Sequence, residues 1–185
     1  MSNIRLFIAA EMPGGLVEYF AGLGVRFPAQ SWRTVPEANL HLTLLFIGNV
    51  PVTRLTEIQE KLPRIARQHA AFRLELEKIE AGPKPKNPRL IWARFTRHPS
   101  FENLSRHLHQ ELVPEVGLPA DSIPHVTLAR RRKEASQLNP FPEITPANRL
   151  TLPVSRVGIW QSELRQPHPV YSVLHSYPLL AAPLA

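Results

Sequence analysis

The chain has 185 residues, 43% of them hydrophobic and 20% charged, which is ordinary for a globular protein and sufficient for one good core or two small lobes. Cysteine is absent from the sequence, so disulfides, thiolate nucleophiles and cysteine-based zinc sites are excluded. The formal net charge of +7 favours anionic partners, with nucleic acid ahead of anionic lipid, although solubility alone is an equally good reason for such a surface.

The N-terminal residues contain a short apolar run without the basic region and cleavage site of a signal peptide. No apolar stretch is long enough to span a bilayer. We therefore expect a soluble, cytoplasmic protein, and we expect it to be a monomer.

The hydrophobic pattern of the first quarter of the chain predicts strands and one helix. A buried strand is predicted at residues 6–10, followed by a helix that begins at Pro13 and ends near Gly24. A loop then leads through a short strand at residues 32–33 into a strand over residues 41–48.

The middle of the chain predicts a helix and a hairpin. The helix has a regular apolar stripe after Thr53, but Pro63 lies inside it and predicts a kink or a break. Strict alternation over residues 72–77 is typical of a half-buried strand, which a proline-rich loop at residues 82–88 joins to a returning strand at residues 89–95.

The last part of the chain predicts a helix at residues 99–116 and three further strands, which begin at His125 and at residues 150 and 170. Residues 150–160 and 170–177 are each predicted as a single strand, after a proline-rich segment with little pattern. Mixed elements with hairpin-like connections indicate an α+β fold with largely antiparallel sheets.

One short motif occurs twice, as His41-Leu-Thr43-Leu and as His125-Val-Thr127-Leu. Residues i and i+2 of a strand point to the same face, so each copy presents an imidazole beside a hydroxyl while its apolar residues face a core. Nearly half of the chain separates the two copies. This spacing predicts a single two-lobed domain over residues 1–185, with one motif in each lobe and both histidines facing one cleft.

Two facing histidines suit the cleavage of a P–O bond by water. Histidine has an unperturbed pKa near 6.5, so a neutral base and a protonated acid can coexist near neutrality. In-line displacement requires the two groups on opposite sides of phosphorus, and the threonine hydroxyls can donate to non-bridging oxygens.

Two other interpretations of the motif stay open at this point. A single His-x-Thr on a strand is usually structural, although two copies make this interpretation weaker. A zinc site would need a third ligand, and no acidic or histidine residue stands at a typical ligand spacing from either copy.

The residues also resemble a known family. The two motif copies are similar to the tandem His-x-Thr-x signature of the 2H phosphoesterases, and the surrounding sequence resembles the bacterial and archaeal RNA 2′,3′-cyclic phosphodiesterases, formerly called 2′-5′ RNA ligases. The similar blocks lie at residues 5–9, 36–48, 88–92, 124–130 and 170–174.

The resemblance implies a bilobal, duplicated fold in which two mainly antiparallel sheets line a central cleft, with helices outside. It implies hydrolysis of RNA 2′,3′-cyclic phosphate ends to 2′-phosphomonoesters without a metal or other cofactor. The alternatives are 2′-5′ ligation by the same site, which mass action in water disfavours, and a non-catalytic RNA-end-binding protein, which two intact motifs disfavour.

The resemblance also implies roles for individual residues. His41 would be the acid for the 3′ oxygen and His125 the base for water, with Thr43 and Thr127 as phosphate ligands. By the same resemblance, Arg130 would contact the phosphate.

Phe46 would pack on the nucleobase by the same resemblance. Strict alternation conflicts with this role, because Phe46 and Arg130 each lie five residues after a histidine and so point away from it unless a bulge intervenes. A core position is therefore expected for Phe46.

Residues 130–133 would lie at the mouth of the cleft, where they could hold the RNA backbone, although a solvated charge run is the preferred interpretation for residues 131–133. His168 and Tyr171 could border the cleft, and we interpret the other histidines as surface or incidental residues.

Overall fold

A computed structural model of the protein describes residues 2–84, 86–117, 122–135 and 141–181. The helices are α1 (Gly14–Leu23), α2 (Thr53–Ala66) and α3 (Pro99–Leu112). The strands are β1 (Asn3–Glu11), β2 (Trp32–Thr34), β3 (His41–Pro51), β4 (Phe72–Gly82), β5 (Leu90–Phe95), β6 (His125–Arg131), β7 (Thr151–Val154), β8 (Arg156–Glu163) and β9 (Val170–Pro178). The α+β class predicted from the sequence is confirmed.

The named strands of the described ranges form one antiparallel sheet in the order β7-β4-β5-β6-β3-β1-β8-β9, with β2 paired to β6. The two motif strands, β3 and β6, are therefore neighbours at its centre, with three strands continuing outward on each side. They pair antiparallel at Leu42 and Val126. Because this pairing makes the strand path continuous, the structure differs from the expectation of two separate sheets.

The core lies on the face of the sheet opposite the motif histidines. Leu42 and Val126 are both fully buried there and belong to the same core cluster as the apolar side of α3. The hydroxyl of Ser105 in α3 donates a buried hydrogen bond of 2.7 Å to the carbonyl of Leu44 in β3. Helix α3 thus holds β3 in place from the core side of the sheet.

Local sequence explains where α3 begins. Pro99 occupies the first turn, where its missing N–H is not needed. The His98 ring accepts a hydrogen bond from the backbone N–H of Ser100 at 3.2 Å and caps the helix. The helix ends at Leu112, four residues before the predicted end.

Of the kink or break predicted at Pro63, the break does not occur, because α2 continues to Ala66. Proline removes the hydrogen bond to the carbonyl four residues earlier, which belongs to Gln59. The hydroxyl of Tyr177 in β9 donates to that carbonyl at 3.4 Å. A contact between α2 and β9 thereby replaces the missing helical bond.

The single strand predicted at residues 150–160 is wrong. It is two strands separated at Ser155, and they lie in opposite halves of the sheet, with β7 at one edge beside β4 and β8 between β1 and β9. The apolar pattern runs on through Ser155 because each strand contributes buried apolar residues, Leu152 and Val154 in β7 and Val157 and Ile159 in β8, so periodicity gives no sign of the crossing. Among the described residues, none of the helices has the length and apolar character needed to cross a membrane.

Candidate active site

The two copies of the motif lie side by side across the β3–β6 pair. Leu42 pairs with Val126, and in an antiparallel pair the residue before one partner lies toward the residue after the other. His41 is therefore on the side of Thr127, and Thr43 on the side of His125. All four are partly exposed, whereas the apolar residues between them are buried, so the four polar side chains share one face of the sheet.

A β-bulge in β3 re-aims Phe46 toward this face. In the pairing with β1, Ile8 is opposite Leu45 and the next residue of β1 is opposite Thr43, so Leu44 is an extra residue. Leu44 and Leu45 are consecutively buried, and the alternation restarts with Phe46 at 53% exposure. The expected core position of Phe46 is therefore wrong.

An equivalent bulge in β6 re-aims Arg130. In the pairing with β5, Ala129 is opposite Ile91 and Thr127 is opposite the next residue of β5, so Leu128 is an extra residue. Leu128 and Ala129 are both buried, and Arg130 emerges exposed on the face of the motif. A bulge in each strand thus explains why Phe46 and Arg130 lie on the face of the histidines, although strict alternation predicts the opposite face.

Both histidine rings are held by the same type of hydrogen bond. Nδ1 of His41 lies 2.7 Å from the carbonyl oxygen of Asn39, and Nδ1 of His125 lies 2.8 Å from that of Ile123. A carbonyl oxygen only accepts, so Nδ1 carries the proton in each neutral ring. Each Nε2 is consequently left as the atom that can take or give a proton at the face.

The two rings differ in their aromatic surroundings. His41 is enclosed by three aromatic rings at centroid distances of 4.9 to 5.6 Å, those of Phe7, Tyr171 and Trp160. His125 packs on Trp92, with the centroids 4.7 Å apart. Both tryptophans are buried, so their rings have little freedom to move and restrict the orientation of the two imidazoles.

These surroundings lower the pKa of both histidines. Burial lowers the pKa of His41 to about 4, against the raising effect of its hydrogen bond to Asn39, and the positive charges of Arg130 and His125 lower it further. The pKa of His125 is also lowered, chiefly by burial and then by Arg130. In the unliganded protein both rings are accordingly neutral near pH 7.

A cleft in front of β3 brings most of the predicted residues together. His41, Thr43, Phe46 and Arg130 line a cavity of about 410 Å³, which lies within the range of small-molecule sites, roughly 300–1,000 Å³. An adjoining pocket is lined by His41 and Arg130 together with Thr127. His168 and Tyr171 also line that pocket, in keeping with their predicted position at the border of the cleft.

Sequence reasoning missed several residues of the cleft. Arg5 lies with its guanidinium carbon 4.8 Å from the centroid of the Phe46 ring, and it lines the same cavity. Asn39 is buried, and its amide donates to the carbonyl of Pro169 at 2.7 Å, which ties the β8–β9 loop to the residue that orients His41. These residues come from remote segments without a local pattern, so a single sequence offers no signal for them.

The described ranges contain no group of three or more His, Asp or Glu side chains that could hold a metal ion. Among the other histidines, interpreted from the sequence as surface or incidental residues, His109 is buried in α3. His69 and His107 lie 2.9 Å apart between ring nitrogens, far along the chain from either motif.

Comparison with known proteins agrees with the geometry. Residues 6–92 match the family described as LigT like Phosphoesterase. The chain is 34% identical to the RNA 2′,3′-cyclic phosphodiesterase of Thermus thermophilus over 95% of this chain and 90% of that protein. It is 25% identical to the protein of that name from Methanothermobacter thermautotrophicus, over 96% of this chain and all of the relative.

Solved structures share the fold. A crystal structure of a Thermus thermophilus protein superposes with a TM-score of 0.84 at 30% identity, covering 96% of this chain and 99% of that one. The structure of E. coli LigT complexed with 3′-AMP superposes with a TM-score of 0.78 at 26% identity, covering 97% and 99%. The chain belongs to the LigT-like phosphoesterase family, a 2H phosphoesterase family.

Proposed function

We propose that this protein is an RNA 2′,3′-cyclic phosphodiesterase, which hydrolyses the cyclic phosphate at an RNA end to a 2′-phosphomonoester. The observation that carries the proposal is the matched orientation of two imidazoles. Each is held through Nδ1 by the carbonyl two residues earlier, and each presents Nε2 on one face of the sheet. The relatives that carry this name cover nearly the whole chain.

The two rings divide the acid and base work. Nε2 of His125 takes a proton from water as its oxygen attacks phosphorus, and the bond from phosphorus to the 3′ oxygen breaks. Nε2–H of His41 gives its proton to the departing 3′ oxygen, which becomes a hydroxyl. The phosphate stays on the 2′ oxygen, and solvent returns both rings to their starting states.

The acid role of His41 requires the bound phosphate. Its pKa of about 4 keeps the ring neutral near pH 7 in the unliganded protein. A unit negative charge about 4 Å away contributes about 4 kcal/mol at an effective dielectric constant of 20, enough to raise a pKa by about three. Binding of the substrate anion therefore raises the pKa of His41, so that the ring takes up a proton from solvent and can act as the acid.

Neighbouring donors hold the charge that develops on the phosphoryl oxygens. The hydroxyls of Thr43 and Thr127 flank the histidines, and the guanidinium of Arg130 lies at the edge of both adjoining cavities. Donors placed in advance around such oxygens stabilise the transition state more than the ground state. Phe46, with Arg5 over its ring, offers a surface on which the terminal base stacks.

The reaction as written uses no metal ion. The base, the acid and the phosphate ligands are all supplied by side chains, and both motif histidines already have acid and base roles. Activity that EDTA leaves intact supports this mechanism. Activity that EDTA removes and zinc restores contradicts it.

Incubation with 2′,3′-cyclic AMP in the presence of EDTA tests the proposed function directly. We expect 2′-AMP as the product, separated from 3′-AMP by chromatography. His175→Ala, on the exposed side of β9, is the matched histidine control and should retain activity. Binding without turnover favours a non-catalytic RNA-end-binding protein, and 3′-AMP as the product contradicts the assigned leaving oxygen.

We also propose that residues 1–185 form a single duplicated, two-lobed domain that acts as a monomer in the cytoplasm. The strand order supports the duplication, because β3 is followed outward by β1, β8 and β9, and β6 by β5, β4 and β7. The bulge and the ring hydrogen bond also recur at equivalent positions in the two halves. A mass measurement in solution tests the monomer.

A further inference from the structure

A wide groove continues from the cleft along one side of the molecule. Its volume is about 1,020 Å³, and it shares Arg33, Arg130, Leu164 and Pro169 with the cavities around His41. Of the described residues that line it, seven are Arg or Lys and one, Glu134, is acidic. We call this surface the basic groove.

Four segments supply the cations of the basic groove. Arg33 lies on β2, Arg89 lies just before β5, and Arg165 lies in the β8–β9 loop. Residues 130–133 comprise the last two residues of β6 and the two that follow it. Within the described ranges, only Arg165 among these cations has a salt bridge, a 2.7 Å contact with Glu163. Apart from this pair and Glu134, the described residues leave the concentrated positive charge of the groove without acidic partners.

The arrangement of these charges costs stability. Arg33 lies directly opposite Arg130 in the β2–β6 register. Like charges directly opposite each other in an antiparallel pair are destabilising. Arg33 and Arg132 also lower the pKa of His168, after the larger effect of burial. A bound polyanion relieves this repulsion, whereas a surface that serves only solubility gains nothing from such close placement.

The chemical character of the basic groove indicates what it contacts. The described lining contains seven cations, prolines, two leucines and the side-chain amides of Asn87 and Gln166, but no aromatic ring on which a base could stack. Cations along an extended groove bind mainly phosphates, and phosphate contacts carry no information about the base sequence. The ligand is therefore a chain of phosphates that starts at the catalytic cleft.

We infer that the basic groove binds the RNA strand on the 5′ side of the cyclic phosphate, so that the enzyme prefers polynucleotide ends to cyclic mononucleotides, with little dependence on sequence. This inference rests on the proposed function, because the cyclic phosphate must occupy the cleft for the strand to enter the groove. It adds a second contact region, remote from the reacting atoms.

The first arm of the test compares substrates. We expect kcat/KM to rise from 2′,3′-cyclic AMP to a dinucleotide, a tetranucleotide and an octanucleotide that carry the same cyclic end, and the gain to shrink as salt is added. Two octanucleotides of different sequence should react alike. Equal kcat/KM for the mononucleotide and the octanucleotide overturns the inference while leaving the proposed function intact.

The second arm removes charge outside the catalytic cleft. The double variant Arg89→Gln/Lys133→Gln should lose several-fold in kcat/KM on the octanucleotide and lower the slope of log affinity against log salt by about 1.4. It should leave turnover of 2′,3′-cyclic AMP unchanged. The control Arg64→Gln/Arg67→Gln removes the same charge from two exposed positions, one in α2 and one directly after it, and should change neither.

A binding measurement keeps the inference testable even if no turnover occurs. A fluorescently labelled octanucleotide with a 2′-phosphate end should bind the parent protein and the α2 control equally, and bind the groove variant more weakly. Equal binding by all three proteins contradicts the groove assignment. Absence of hydrolysis of every substrate contradicts the proposed function instead.

Discussion

Leu42 in β3 pairs with Val126 in β6, and each of them lies between the histidine and the threonine of its own motif. This one pair joins the two halves of the strand order and sets two distant segments of chain in antiparallel contact. Both residues are fully buried in the core, so they fix the register between β3 and β6. The polar side chains of the two motifs then lie on the opposite face of the sheet.

Loss of either imidazole should remove most of the turnover. General acid or base catalysis by one side chain contributes typically 10²- to 10⁴-fold, so His41→Ala and His125→Ala should each lower kcat on a cyclic nucleotide by about that factor. Circular dichroism establishes that each variant is folded. A variant with one histidine and nearly the full rate would be incompatible with the two-histidine reaction.

The pH dependence should differ between free and substrate-bound enzyme. The profile of kcat/KM reports the free enzyme, in which the pKa of His41 is lowered to about 4 and that of His125 lies below its usual 6.5. One ring must be protonated and the other neutral, so a bell-shaped kcat/KM profile should peak on the acid side of 6.5. The profile of kcat should peak at higher pH, because the bound phosphate raises both pKa values. Coincident optima in the two profiles would argue against charging of His41 by the substrate.

Stability should also depend on pH through His41. A group whose pKa falls on folding binds more protons in the unfolded chain, so its contribution to stability is present above the unfolded pKa and is lost as the pH falls. For His41 the loss should run from about 6.5 down toward 4. Urea denaturation of His41→Gln should show a flatter decline over this window than the parent protein or His175→Gln. Parallel declines in all three would contradict the lowered pKa.

Gly82 should be required for the position of Trp92 and, through it, of His125. A Cβ atom at Gly82 would lie 2.6 Å from Nε1 of Trp92, whose ring is buried and packs on His125. Gly82→Ala should therefore destabilise the protein by about 1–3 kcal/mol through overpacking. It should also lower kcat on the order of 10-fold or more, because small displacements of a catalytic group are costly.

The matched control for this variant is Gly22→Ala. Gly22 lies in α1, and a Cβ there meets nothing within 4 Å, so alanine should stabilise the helix by roughly 0.5–1 kcal/mol. Its kcat should equal that of the parent. A normal kcat in Gly82→Ala would contradict the proposal that Trp92 positions His125.

Local patterns were sufficient for most of the fold. Alternation and turn residues predicted the β4–β5 hairpin, and Pro13 with Gly24 predicted the limits of α1, because these elements are set by neighbours in the chain. The split at Ser155 was not predictable in this way. Both flanking strands contain buried apolar residues, and only their pairing with β4 and with β1 separates them.

The candidate site was predictable where a residue pattern repeats, and not where it depends on strand irregularity. The His-x-Thr spacing placed both imidazoles and both hydroxyls on one face. Phe46 and Arg130 needed the two bulges, which arise from an extra residue in the pairing with a neighbouring strand. Asn39 and Trp92 act on the histidines through contacts between segments, for which periodicity carries no signal.

The central claim is that the imidazoles of His41 and His125 act on one phosphoryl group. Nuclear magnetic resonance of the histidine side chains during titration with 2′-AMP tests it most directly, with single-histidine variants to assign the signals. We predict that both Nε2 signals change together, saturate at one ligand per chain, and report a raised pKa for His41. A response confined to one ring, or two responses that saturate at different ligand concentrations, would contradict the shared site.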